Sequence, residues 1–186
     1  MLSAGWLIAA VFVAVVLTLW VTLTLTRLDR LHARVDAAQS ALDAQLVRRA
    51  AALLHLAERP DSELPPDRAH ELIGTARSAL AVRQWQDADR RSVENQVGRA
   101  IAGLQDDRPR LPADAVTELT ESSTRVLIAR RFFNDAVRDT RTLRARRMPR
   151  LLHLAGRREL PGFFDIEDTS VFTEGPAAER HAEPPA

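Results

Sequence analysis

The first charged side chain in this chain is Arg27. Residues 1 to 26 contain 20 apolar side chains and no charge, and all 51 Asp, Glu and Arg residues lie in the 160 that follow. The run WLIAAVFVAVVLTLWVTLTLT, between Gly5 and Thr26, is 21 residues long. As a helix it reaches about 30 Å, the thickness of a bilayer's hydrocarbon core. A cleaved secretory leader is the competing reading. It is disfavoured because no basic residue precedes the run, the run exceeds a usual leader core, and no small-x-small site ends it. We therefore expect residues 1–26 to be an uncleaved membrane anchor, with residues 5–26 in the bilayer. Trp6 and Trp20 stand toward its two ends, where indoles favour the interface. Arg27, Arg30 and Arg34 follow the run directly, so the bias of basic residues predicts a short N-terminus outside and the large C-terminal part in the cytoplasm.

Beyond the anchor the composition is that of a soluble protein, and it removes whole classes of chemistry. There is no Cys, so no thiolate metal site, iron–sulfur cluster, disulfide or cysteine nucleophile can form. All 26 basic residues are Arg, which excludes a Schiff-base lysine and a phosphate-loop lysine. A net charge of +1 gives no general attraction to nucleic acid.

Proline maps the rest. The ten prolines leave three long segments without one: up to residue 59, 67–108 and 113–148. Ala, Leu, Arg, Glu and Gln dominate these segments and hairpin signals are missing, so we expect an all-α fold with essentially no strand. The first helix should continue out of the membrane, with Leu28, Leu31, Val35, Ala38, Leu42, Leu46, Ala50, Leu53 and Leu54 on its apolar stripe at steps of three and four. After the turn ERPDSELPPD, a second helix should start near Pro66 or Asp67, bearing Leu72, Ile73, Ala76 and Leu80, then Val93, Val97, Ile101 and Leu104. WQDADRR interrupts that stripe, and Ser92 or Asp89 could cap a fresh start. A third helix should begin after Pro112, with Val116, Leu119, Val126, Phe133 and Val137 on its face, and end by Arg147 before Pro149. Helices of about 48, 58 and 52 Å joined by short turns imply an antiparallel bundle of three long helices, or four if the second breaks near residues 85–91. An odd number sends the Arg-rich end at 144–150 away from the bilayer, and an even number brings it back. Residues 27–168 form the expected bundle with a Pro/Gly-punctuated strap from Met148 onward. Residues 169–186 are too poor in apolar side chains to fold and are expected to be disordered.

Motif by motif, ordinary structural roles outweigh chemistry. His70-Glu71 opens like a zinc-protease helix, but Gly74 stands where the second His is needed, and His32, His55 and His153 have no ligand partners at helical spacing. We expect neither metal nor cofactor. Gln45, Asn95 and Asn134 lie on or beside the stripes and are expected to pair across helices. Arg131 with Asp135, and Asp135 with Arg138, are spaced for weak surface ion pairs. Arg144, Arg146, Arg147, Arg150, Arg157 and Arg158 have little counter-charge beside them and are candidates for contact with anionic lipid or an acidic partner. No nucleophile elbow, phosphate loop or close carboxylate pair is present.

The anchor followed by RLDRLHARVDAAQSALDAQLVRRAALL, then ENQVGRAIAGL, IARRFFNDAVRDTRT and PGFFDIED, resembles the LemA family of bacterial membrane proteins. These blocks cover about half the chain in the family's order. The string ARRFFNDAVRD is the most specific. Where the family has an Ile-Pro-Asn-Leu run, this chain has Leu53-Leu54-His55-Leu56. The resemblance implies an all-α bundle on a single anchor with a short extracytoplasmic N-terminus, a link to envelope maintenance, and no established catalytic activity. It marks Gln45, Arg48, Arg49, Asn95, Gln96, Arg130, Arg131, Phe132, Phe133, Asn134, Asp135 and Asp139 as motif residues without a known chemical role. Anchor, helices and missing catalytic groups together predict a non-enzymatic, membrane-tethered interaction protein that presents a rigid bundle to unidentified membrane or cytoplasmic proteins. The alternative is a sensor of anionic lipid or polyanion that uses the arginines of 144–158.

Overall fold

A computed structural model describes residues 2–82, 88–145 and 162–166. Among the described residues four α-helices follow one another: α1 (Leu2–Glu58), α2 (Pro66–Ala81), α3 (Ala88–Ala102) and α4 (Ala113–Arg144), with a 3-10 turn at Arg108–Arg110. No strand occurs among the described residues.

α1 is continuous over 57 residues. Only Gly5 interrupts its helix-forming composition, and the helix stops just before Arg59-Pro60, where the proline ring disfavours helical backbone in its predecessor. Ser62 Oγ donates to the Leu56 carbonyl at 2.6 Å and so satisfies one of the orphan acceptors of the last turn. Proline at the first position of α2 leaves no donor to satisfy there, and the Ala69 amide donates to the Pro65 carbonyl at 3.0 Å. At α4 the Val116 amide donates to the Pro112 carbonyl at 3.0 Å. Asp114 in the first turn and Arg141 and Arg144 in the last complement the helix dipole.

The expected second helix of about 39 residues is two helices. α2 ends at Ala81, Val82 is extended, and α3 begins at Ala88. The four-helix alternative is therefore the fold: α2 has ended by Val82 and α3 has begun by Ala88, so the interruption lies near the expected 85–91. The polar WQDADRR stretch offers no apolar side chain at the positions a continuous stripe would need. Neither expected cap holds, because Asp89 and Ser92 both lie inside α3. The third expected helix is α4 and ends at Arg144, three residues before the limit set by Pro149.

The chain divides into two compact units, one of Met1–Ala44 with Ile128–Phe164 and one of Gln45–Leu127 with Asp165–Ala186. In the second unit, segments of all four helices share a core: Ala50, Leu53 and Leu56 from α1, Leu72, Ala76 and Ala79 from α2, Val97 and Ile101 from α3, and Ala115, Val116 and Leu119 from α4, closed by Leu104 and Leu111. Alanine at many of these positions allows close helix approach, and each buried Leu, Ile or Val adds about 1.5–3 kcal/mol of burial free energy. Ala79 takes the place expected of Leu80, which is 36% exposed. The spacing 72, 76, 79 continues the stripe, and residue 80 falls about 100° further round the helix. In the first unit Leu28, Val35 and Leu42 of α1 and Phe133, Ala136, Val137 and Leu143 of α4 are buried.

The apolar half of α1 is different. It carries the one stretch among the described residues that is long and apolar enough to cross a membrane, and none of that stretch is buried. Trp6, Leu7, Ile8, Phe12 and Leu23 are all more than 60% exposed. Exposed apolar surface of that extent marks a site of contact with a membrane or with another protein.

Candidate functional site

Among the described residues the most deeply held charges lie in the second unit and come from α1 and α3. Glu94 is 1% exposed, Arg90 2% and Arg49 6%. Arg49 Nη2 donates to Glu94 Oε2 at 2.8 Å and reaches the Glu94 carbonyl at 3.4 Å. Arg90 Nε approaches Glu94 Oε1 at 3.1 Å as an ionic contact without hydrogen-bond alignment, and Arg90 Nη1 donates to the Val82 carbonyl at 3.2 Å. One carboxylate thus holds two guanidinium groups, and one of these also reaches the carbonyl at the end of α2. Such a cluster is costly to desolvate and adds little net stability, while fixing which turn of α3 faces which turn of α1.

A second polar cluster ties the turn after α1 to the start of α4. Arg59 grips Asp61 with a fork, Nε to Oδ1 at 2.8 Å and Nη2 to Oδ2 at 2.7 Å, and Nη1 donates to Asp114. The Arg59 hydrogen bonds hold the Asp61 and Asp114 carboxyls below their ordinary range, and the same bonds raise the pKa of the Arg59 guanidinium. The neighbouring turns also meet through their backbones, as the Glu63 amide donates to the Arg110 carbonyl at 3.2 Å.

Between α1 and α4 of the same unit lies an open polar hollow of about 160 Å³, lined by Gln45, Arg48 and Ala52 on one side and Glu118, Glu121, Ser122 and Arg125 on the other. Two of its four charged side chains pair within the wall, and a third is met from outside it. Arg125 Nη2 donates to Glu121 Oε2 at 3.2 Å, and His55 Nδ1 stands 3.3 Å from Glu118 Oε2. Gln45 Oε1 is buried without a hydrogen-bond partner. The hollow offers polar complementarity to a small group, and its hydroxyl, Ser122 Oγ, donates to the Leu119 carbonyl at 2.9 Å.

In the first unit, Asn134 clamps the strap. Its Nδ2 donates to the Phe164 carbonyl at 3.1 Å while its Oδ1 accepts from the Phe164 amide at 2.9 Å. The side-chain amide pairs with one residue's backbone as a neighbouring β-strand would. Phe164 is buried, and the Arg141 guanidinium lies 4.8 Å over the ring of Phe163. Arg34 Nη1 meets Asp139 Oδ2 at 3.1 Å.

The sequence-derived residues scatter over these features. Gln45 and Arg48 line the hollow, Arg49 joins the ionic cluster, Asn134 holds the strap, Asp135 accepts from Arg138 at 2.9 Å, and Asp139 holds Arg34. Phe133 is core, Phe132 is 64% exposed, Arg131 and Gln96 are exposed, and Asn95 and Arg130 are half-buried. Asn134, expected to pair across helices, instead binds backbone outside any helix. Of the arginine candidates Arg144 closes α4, and Arg146, Arg147, Arg150, Arg157 and Arg158 lie outside the described residues, as do the strap before Gly162 and the 169–186 tail. Sequence reasoning missed Arg90, Glu94, Arg59, Asp61 and Asp114. The first two carried a signal: Arg90, Glu94, Val97, Ile101 and Leu104 step by four, three, four and three, which puts both charges on the core stripe. Among the described residues no three His, Asp or Glu side chains gather closely enough to share a metal ion.

Comparison with protein-family models, with curated proteins and with solved structures yields no match to this chain.

Proposed function

We propose that this chain is a membrane-anchored interaction protein of the LemA type, which presents a helical bundle to partner proteins at the cytoplasmic face and performs no chemistry of its own. What carries the reading is the employment of the motif residues. Arg49, Asn134, Asp135 and Asp139 all spend their polar groups inside the chain, on Glu94, the Phe164 backbone, Arg138 and Arg34. A constellation evolved to act on a substrate leaves its reactive groups facing a cleft. Arg49 and Asp139 tie helix to helix, Asn134 ties helix to strap and Asp135 pairs within α4, as a scaffold requires, while Gln45 and Arg48 face the hollow. The unbroken α1 adds support, since it joins an apolar segment of membrane length to the bundle stem without a hinge. A role in envelope maintenance follows from the LemA likeness alone.

Photo-crosslinking in intact cells tests the proposal. A benzophenone side chain placed singly at the exposed positions Val47, Leu80 and Phe132 samples α1, α2 and α4. The expected result is a discrete adduct with another protein from at least one station. Unreacted protein from all three would overturn it.

A further inference from the structure

Resting on the membrane-anchor reading, we infer that α1 and α4 together form a basic collar at the bilayer surface that recruits anionic phospholipid. The first support is how α1 sorts its charges as it leaves the apolar run. Arg27, Arg30 and Arg34 recur at steps of three and four and so share one face, whereas Asp29 and Asp36 lie on the opposite face, about 200° round from Arg27. Arg27 and Arg30 are both exposed, at about 2 and 6 Å along the axis from Thr26. Arg34, further from the membrane, is already engaged by Asp139.

The second support is the direction of α4 within the same compact unit. This unit takes α1 up to Ala44 and α4 from Ile128. Arg34 and Asp139, which meet at 3.1 Å, are ten and eleven residues from those ends, so the two helices run antiparallel with matched rise. Arg144, five residues beyond Asp139, then stands about 7.5 Å nearer the apolar run, level with residue 29 of α1. Arg141, stacked on Phe163, lies one turn before it. The last turn of α4 thus brings arginines to the height of Arg27 and Arg30. All are within about one Debye length of a headgroup layer at Thr26, where attraction to an anionic leaflet is least screened. Guanidinium groups suit this task, because their planar fork matches phosphate and carboxylate.

The test uses the full chain in vesicles, with Trp6→Phe and Trp85→Phe leaving Trp20 as the one fluorophore. Trp20 lies two turns before Arg27 on the same face. Its quenching is compared for phosphatidylserine and phosphatidylcholine carrying the same brominated acyl chains, so that only the headgroup differs. The expected result is half-quenching at about a fivefold lower mole fraction of brominated phosphatidylserine. The two curves should merge in strong salt, draw closest together among the variants in Arg27→Gln/Arg30→Gln, and draw together by a smaller step in Arg144→Gln. Circular dichroism should show unchanged helix in each variant. Coincident curves in the parent protein would overturn the collar, and so would a preference unmoved by Arg27→Gln/Arg30→Gln. A preference unmoved by Arg144→Gln would overturn its two-helix form. Absence of quenching by either lipid would instead refute the anchor itself, which keeps the two failures distinct.

Discussion

At the scale of single residues, Glu94 shows how a charged side chain can specify packing without adding much stability. Its carboxylate is shared by Arg49 and Arg90, all three being less than one-tenth exposed. Glu94→Ala leaves the Arg49 guanidinium buried without the carboxylate that holds it, and we expect a loss of about 3–5 kcal/mol in denaturant unfolding of the micelle-held chain. Replacing the three together by Met, Leu and Met should recover most or all of that loss. A Glu94→Ala protein as stable as the parent would mean that the cluster is solvated. The sequence hid this cluster in plain sight, because Arg and Glu at i,i+4 are the ordinary signature of an exposed helix face, and only their coincidence with the 97, 101, 104 stripe marks them as interior. Phe132 and Phe133 were easier to tell apart in principle, since the stripe 126, 133, 137 selects Phe133 for the core and turns its neighbour outward.

At the scale of elements, the helices were legible because burial imposes a 3.6-residue period and proline punctuates it. Leu28, Val35, Leu42, Leu46 and Leu53 of α1, and Val116, Leu119, Val126, Phe133 and Val137 of α4, are buried as their spacing requires. The division of the second segment into α2 and α3 was visible only as a gap in the stripe, which does not say where a helix ends. The strap was less legible still. Asn134 and Phe164 are 30 residues apart, and no periodicity links a helix to an extended segment. The Arg59 turn gives an element-scale prediction with a definite sign. Asp61 and Asp114 are lowered from 3.8 in the folded state, so their stabilising contribution is fully present above that value and is lost as pH falls through the lowered folded pKa values. The melting-temperature gap between the parent and Arg59→Gln should therefore be steady from about pH 7 to 5 and shrink below about pH 4. A gap that stays constant down to about pH 2 would mean that these bonds contribute nothing in solution.

At the scale of the molecule, the division between an exposed apolar segment and a patterned remainder was the plainest message of the sequence, and α1 carries it in one piece. Val15→Arg with Leu19→Arg puts two charges near the centre of the apolar window, at about 2.5–3.5 kcal/mol each on insertion scales. We expect this variant to leave the membrane pellet for the soluble or aggregated fraction in alkaline carbonate extraction, while the parent stays in the pellet. Equal retention of the two would remove the anchor from the account. What the sequence could not supply is a partner, because recognition surfaces on helices are built from the same exposed Arg, Glu and scattered apolar side chains as any solvated face.

An α-helix with neither proline nor glycine between Trp6 and Ala44 has no joint between its apolar run and the start of its amphipathic stem. With the apolar run in a bilayer, as we propose, thinning of the hydrocarbon layer is answered by leaning, and the stem has to lean with it. Over the roughly 27 Å of stem between Thr26 and Ala44, a tilt of about 20° carries the far end some 9 Å sideways. Bilayer thickness is thereby converted into lateral displacement of the stem's tip.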